Sequence, residues 1–129
     1  MLQRKRFYTG SKYEELAGYC RAVCDDDGWI FVSGTVGYDF KTGQLPETAR
    51  GQTAQALLTI EEAMAEASAT MADIVRIRVY VPNPDDVVEV SAVIKAKLGS
   101  VRPANTTICS PLAVPKCKVE IEVTARKLG

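Results

Sequence analysis

The chain has 129 residues, 47% of them hydrophobic, which is enough to bury one core and too little for two, so residues 1–129 are expected to form a single domain. Sixteen Lys and Arg balance sixteen Asp and Glu, which leaves no net field to hold a polyanion and argues against nucleic-acid or anionic-membrane partners. No apolar run approaches the roughly 18 residues that span a bilayer, and Met1-Leu2-Gln3-Arg4-Lys5-Arg6 leads into polar residues rather than a signal-peptide core, so a soluble, cytoplasmic protein is expected.

In chain order, Arg4-Lys5-Arg6 reads as a solvated end. Residues 19–23 and 29–33 are β-rich runs joined by Asp25-Asp26-Asp27-Gly28, the composition of a tight hairpin connection. Lys41-Thr42-Gly43 and Pro46 mark a loop. Leu57, Ile60, Met64 and Ala67 then recur at spacings of three and four, which predicts a helix over residues 48–69 with one buried stripe. Residues 74–81 alternate, with Val75, Ile77, Val79 and Val81 as the expected core face of a strand. Asn83-Pro84-Asp85-Asp86 is a helix start: the amide caps free N–H groups, Pro suits the first turn and the carboxylates favour the positive end of the dipole. Val87, Val90, Ile94 and Leu98 supply that helix's stripe, and Gly99 is expected to close it in the left-handed conformation. In the final strand Val119, Ile121, Val123 and Ala125 alternate with Glu120, Glu122, Thr124 and Arg126.

The order β-β-α-β-α-β-β predicts an α+β sandwich with both helices on one face of a mixed sheet. The other face, carrying Thr107, Cys109, Glu120, Glu122 and Thr124, is too mixed for bulk solvent and too polar for a core. Covering by other copies of the chain resolves that tension, so a homo-oligomer is expected.

Two signatures stand out: Arg102-Pro103-Ala104-Asn105-Thr106-Thr107-Ile108-Cys109, and Lys118-Val119-Glu120-Ile121-Glu122-Val123 following Pro115. Together with Gly18-Tyr19, Phe31-Val32-Ser33-Gly34 and Lys41-Thr42-Gly43, they give a chain that resembles the reactive intermediate deaminase (Rid, YjgF-like or L-PSP) family over nearly its whole length. The resemblance implies a chorismate-mutase-like fold, a trimer whose three sheets form a central barrel, and substrate clefts between subunits. It also implies hydrolysis of small imines or enamines without a cofactor.

Asn105 stands where the family's arginine grips a substrate carboxylate. A guanidinium offers two parallel charged donors and an amide one neutral donor face, which argues against the usual 2-imino acid substrates. Arg21, two residues beyond the cleft-lining Tyr19, is a candidate for a relocated anion anchor; an edge arginine or an intersubunit ion pair is the other reading of it. Glu120 matches the residue that holds the attacking water. Thr107 and Cys109 share the strand face of Asn105 and are expected to line the cleft, with Cys109 as inert packing, because a chain without histidine has no Cys-His pair. Glu122 reads as an intersubunit salt-bridge partner.

Cys20, Cys24, Cys109 and Cys117 are too few and too irregular for a disulfide framework, and a metal site would need three or four of them to converge, so reduced thiols and no metal are expected. The function implied is an enamine or imine deaminase acting on a small metabolite; the alternative is a non-catalytic sensor or scavenger with the same cleft. A ribonuclease activity is disfavoured by the zero net charge and the lack of an acid-base histidine.

Overall fold

The computed structural model describes residues 3–128, so Met1, Leu2 and Gly129 lie outside it. Its elements are β1 (Lys5–Phe7), α1 (Lys12–Ala17), β2 (Ala22–Cys24), β3 (Trp29–Val36), α2 (Ala49–Glu66), β4 (Ile74–Tyr80), α3 (Val87–Leu98), β5 (Ala104–Ile108) and β6 (Glu120–Arg126). Six strands form one sheet in the order β1-β2-β3-β6-β4-β5, in which only β4 and β5 run parallel. This is the mixed-sheet α+β class expected, with two elements the hydrophobic pattern did not reveal. Arg4-Lys5-Arg6 runs into the exposed edge strand β1, and α1 is too short and too exposed to carry an apolar stripe.

The helices pack on one face because their stripes match it. Leu57, Ile60 and Met64 of α2 and Val90, Ile94 and Leu98 of α3 are buried against Ile30, Val32, Ile77, Val79, Ile121 and Val123 of the sheet. Thr48 caps α2 by accepting the Gly51 N–H at 3.0 Å. The β2–β3 turn has the expected chemistry: Asp25 Oδ1 accepts from the N–H groups of Asp27 and Trp29, and Gly28 has φ +90°. A side chain there would meet the Lys127 carbonyl, since an added Cβ lies 2.4 Å from it.

Three local expectations are corrected. Val75 does not face the core; the β4–β6 register shifts between Ile74 and Arg76, so Ile74 is buried and Val75 is 46% exposed. One bulged residue inverts the alternation on its N-terminal side. Asn83 does accept the Asp85 N–H, but the turn it caps, Pro84–Asp86, is a 3-10 turn ahead of α3. Gly99 is right-handed at φ −61°, and the left-handed residue is Arg102 at φ +55°. The chain continues one more turn before closing through the N–H groups of Val101 and Arg102 on the Leu98 carbonyl.

Candidate active site

The second β-bulge builds the site. Val32 opposes Val123 and Thr35 opposes Ile121, so three steps along β3 match two along β6, and Ser33-Gly34 absorbs the difference. Directly opposed residues share a sheet face. The bulge therefore turns Thr35 toward the helices with Ile121 and leaves Val36 on the open face beside Glu120. The Glu120 carboxylate lies over Gly34: a Cβ built at residue 34 would stand 2.6 Å from Glu120 Oε2. A side chain at residue 34 would therefore push the Glu120 carboxylate out of this position.

Three influences act on Glu120. Its pKa is raised, first by burial and next by the neighbouring Glu122 carboxylate, while the positive charge of Arg21 pulls it back down. Glu122 opposes Arg78, accepts a short hydrogen bond from the Tyr80 hydroxyl and lies 3.9 Å from Arg78 Nη1. Its partners are thus supplied within the chain. Cys117, just before β6, is buried, and its thiol is pushed up to about 11 by burial and by Glu120.

Arg21 corrects an expectation. β2 begins at Ala22, so strand parity does not govern Tyr19 and Arg21, and the guanidinium is neither an edge group nor a free anion anchor. It is 2% exposed and paired with Glu14, itself 4% exposed, through Nε at 3.2 Å and Nη2 at 3.1 Å. Nη1 donates to the Gly34 carbonyl at 2.7 Å and to Thr35 Oγ1 at 3.1 Å. The rings of Phe40 and Tyr19 flank it at 5.4 and 5.6 Å. Glu14 also accepts from the Thr9 backbone N–H and hydroxyl. Sequence reading missed Glu14, although Ser11-x-x-Glu14 has the spacing of a helix start and Ser11 does cap α1.

Tyr19 is half-buried and borders an open hollow with Tyr8, Cys20 and Ser33. Asn105 and Thr107 lie at the opposite edge of the sheet. Thr107 donates to Asn105 Oδ1 at 2.8 Å, and Cys109, just past β5, is exposed. In the parallel register Asn105 opposes Ile77 and Thr107 opposes Val79, so both share the helix-side face, whereas Glu120 projects from the other. One chain therefore brings Tyr19, Ser33, Gly34 and Glu120 into one region and Asn105 and Thr107 into another. A separate cavity of about 240 Å³, walled by Phe7, Arg21, Phe40, Gln55 and Thr59, opens on the helix side.

The family model described as Endoribonuclease L-PSP matches residues 9–127. The chain belongs to this family, which is that of the YjgF-like, or Rid, proteins. It is 34% identical to Rv2704 of Mycobacterium tuberculosis, a YjgF/YER057c/UK114 family member, with a TM-score of 0.88 over 97% of this chain and 100% of that one. The YjgF gene product of E. coli is 26% identical, with a TM-score of 0.78 over 85% and 88% of the two chains. A RutC family protein of Aquifex aeolicus is 29% identical over 84% of this chain and 88% of its own length. Protein mmf1, mitochondrial, of Schizosaccharomyces pombe is 30% identical over 84% and 68%. Among the described residues no helix is long and apolar enough to cross a membrane.

Proposed function

We propose that this YjgF-like protein is a homotrimeric, cytoplasmic hydrolase that converts a small reactive imine or enamine to a carbonyl compound and ammonia. The observation that carries the reading is the Glu120 carboxylate, packed over the Gly34 backbone with its proton affinity raised by burial. A base of that kind at the mouth of a cleft aims and deprotonates a water. The water oxygen bonds to the C=N carbon, the π pair moves to nitrogen, and Glu120 takes the water's proton. Return of that proton to nitrogen gives the neutral carbinolamine; Glu120 then carries the hydroxyl proton to nitrogen, and as the C–N bond breaks an oxygen lone pair closes the C=O, leaving the carbonyl compound and ammonia. An enamine joins the same path after tautomerising to its imine. The residues present call for no cofactor.

Tyr19, Asn105, Thr107 and Cys109 are assigned to the cleft walls, with Glu120 as the base. Their separation into two regions and onto two faces of one sheet supports a cleft completed between subunits. Phe31 and Ile108, which are 49% and 45% exposed, support a partner surface. Asn105 offers a neutral amide whose oxygen is already engaged by Thr107. That favours substrates without a carboxylate, and it also supports the second reading, a metabolite-binding protein that retains the cleft without turnover. The balanced charge and the absence of histidine give the endoribonuclease activity named in the family description no comparable support.

The test is ammonia release from imines generated in place by a flavin amine oxidase, which lack the carboxylate, and by an amino-acid oxidase, which carry it. The proposal expects acceleration chiefly of the first set, lost on Glu120→Gln. Binding of these compounds without acceleration would establish the second reading instead.

A further inference from the structure

A buried chain of contacts runs from the N-terminal segment to Glu120, and it passes through Arg21. Thr9 and Arg21 converge on the Glu14 carboxylate, and Arg21 Nη1 reaches the Gly34 carbonyl at 2.7 Å and Thr35 Oγ1 at 3.1 Å. Thr35 faces the helices, so the guanidinium grips the bulge from the helix side. On the other side of Gly34 the Glu120 carboxylate packs so close that its Oε2 lies 2.6 Å from where a Cβ would stand.

We infer that Arg21 is a positioning residue for Glu120: it holds the Ser33–Gly34 bulge in the shape on which that carboxylate rests and places a fixed positive charge across the bulge from it. The inference rests on the hydrolase reading only for its catalytic consequence. Glycine at 34 gives the bulge wide conformational freedom, and a carboxylate that must aim a water needs a fixed floor. Lysine cannot take this role, because the geometry uses a planar fork, two nitrogens on Glu14 and the third on the bulge.

The other charged and titratable groups around Glu120 are Glu122 on β6, Tyr80 and Arg78 on β4, and the Cys117 thiol ahead of β6. Glu122 and burial drive Glu120 toward protonation, and Arg21 opposes them. Removing the cation therefore moves the Glu120 titration to higher pH.

The experiment compares the wild type with the double variant Glu14→Gln/Arg21→Gln, which replaces the buried pair by two neutral hydrogen-bonding amides and avoids stranding a lone charge. The single variant Arg21→Lys keeps the charge without the fork. Glu120 is followed by carboxyl-carbon NMR across pH, and imine hydrolysis by ammonia release. The double variant is expected to titrate Glu120 at higher pH, shift the ascending limb of kcat/KM the same way and lose kcat by about tenfold or more, with KM little changed. Arg21→Lys is expected to keep the titration near the wild-type midpoint while still lowering kcat. An unmoved Glu120 midpoint in the folded double variant overturns the inference. A midpoint that moves in a protein that hydrolyses no imine upholds it and overturns the hydrolase reading alone.

Discussion

Glu120 is held between opposing influences: burial and Glu122 favour its neutral form, and Arg21 favours its anion. The sign of its effect on stability follows. A carboxyl whose folded pKa lies above its unfolded value costs stability once it ionises. Its contribution is least unfavourable below the unfolded value, about 4.3 for glutamate, and worsens as pH rises through the folded value. Glu120→Gln is therefore expected to raise the melting temperature at pH 7.5 and to give no gain near pH 3. Thermal unfolding at the two pH values checks this, and equal destabilisation at both would contradict it. On the edge strand β5, Asn105→Arg restores a charge where an amide now accepts from Thr107. Charged hydrogen bonds are worth about 1.5–3 kcal/mol each. The variant is expected to gain roughly tenfold or more in kcat/KM on carboxylate-bearing imines, read by ammonia release, with no gain on carboxylate-free ones.

Between elements, the Gln52 amide joins α2 to the two segments that flank the site. Its Nε2 donates to the Pro46 carbonyl at 2.9 Å, and its Oε1 accepts the Lys118 N–H at 2.7 Å, two residues before Glu120. Gly37 packs so close to this turn of helix that an added Cβ would lie 2.6 Å from Gln52 Cα. Gln52→Ala leaves a buried donor and acceptor without partners at about 1–3 kcal/mol each. It is expected to lower denaturant stability by roughly 2–4 kcal/mol, and a loss well under 1 kcal/mol would show the loop held by other contacts. Such polar clamps explain how much was legible in advance. The stripes of α2 and α3 and the alternation of β6 were readable because burial imposes a period on the residues. The bulges at Ser33-Gly34 and Val75 were not, since one extra residue leaves composition unchanged while inverting the pattern beyond it. Strand parity leaves Arg21 as a cleft anchor, an edge arginine or an intersubunit ion pair; its partner, Glu14, belongs to a helix too short to announce itself by periodicity.

Across the whole molecule, the helix-covered face of the sheet is a closed hydrophobic core, while the open face mixes Glu120, Glu122, Arg78 and Tyr80 with the half-exposed Phe31. Glu120 and the Asn105–Thr107 pair project from opposite faces and cannot meet within one copy. The proposed hydrolase therefore depends on assembly, with one chain's Glu120 region set against another chain's β5 edge. Sedimentation equilibrium, at concentrations spanning the micromolar range used for activity, is the most direct measurement. The proposed trimer is expected to sediment at roughly three times the 14.0 kDa chain mass, stable to dilution through that range; a monomer that still accelerates imine hydrolysis would contradict the proposal.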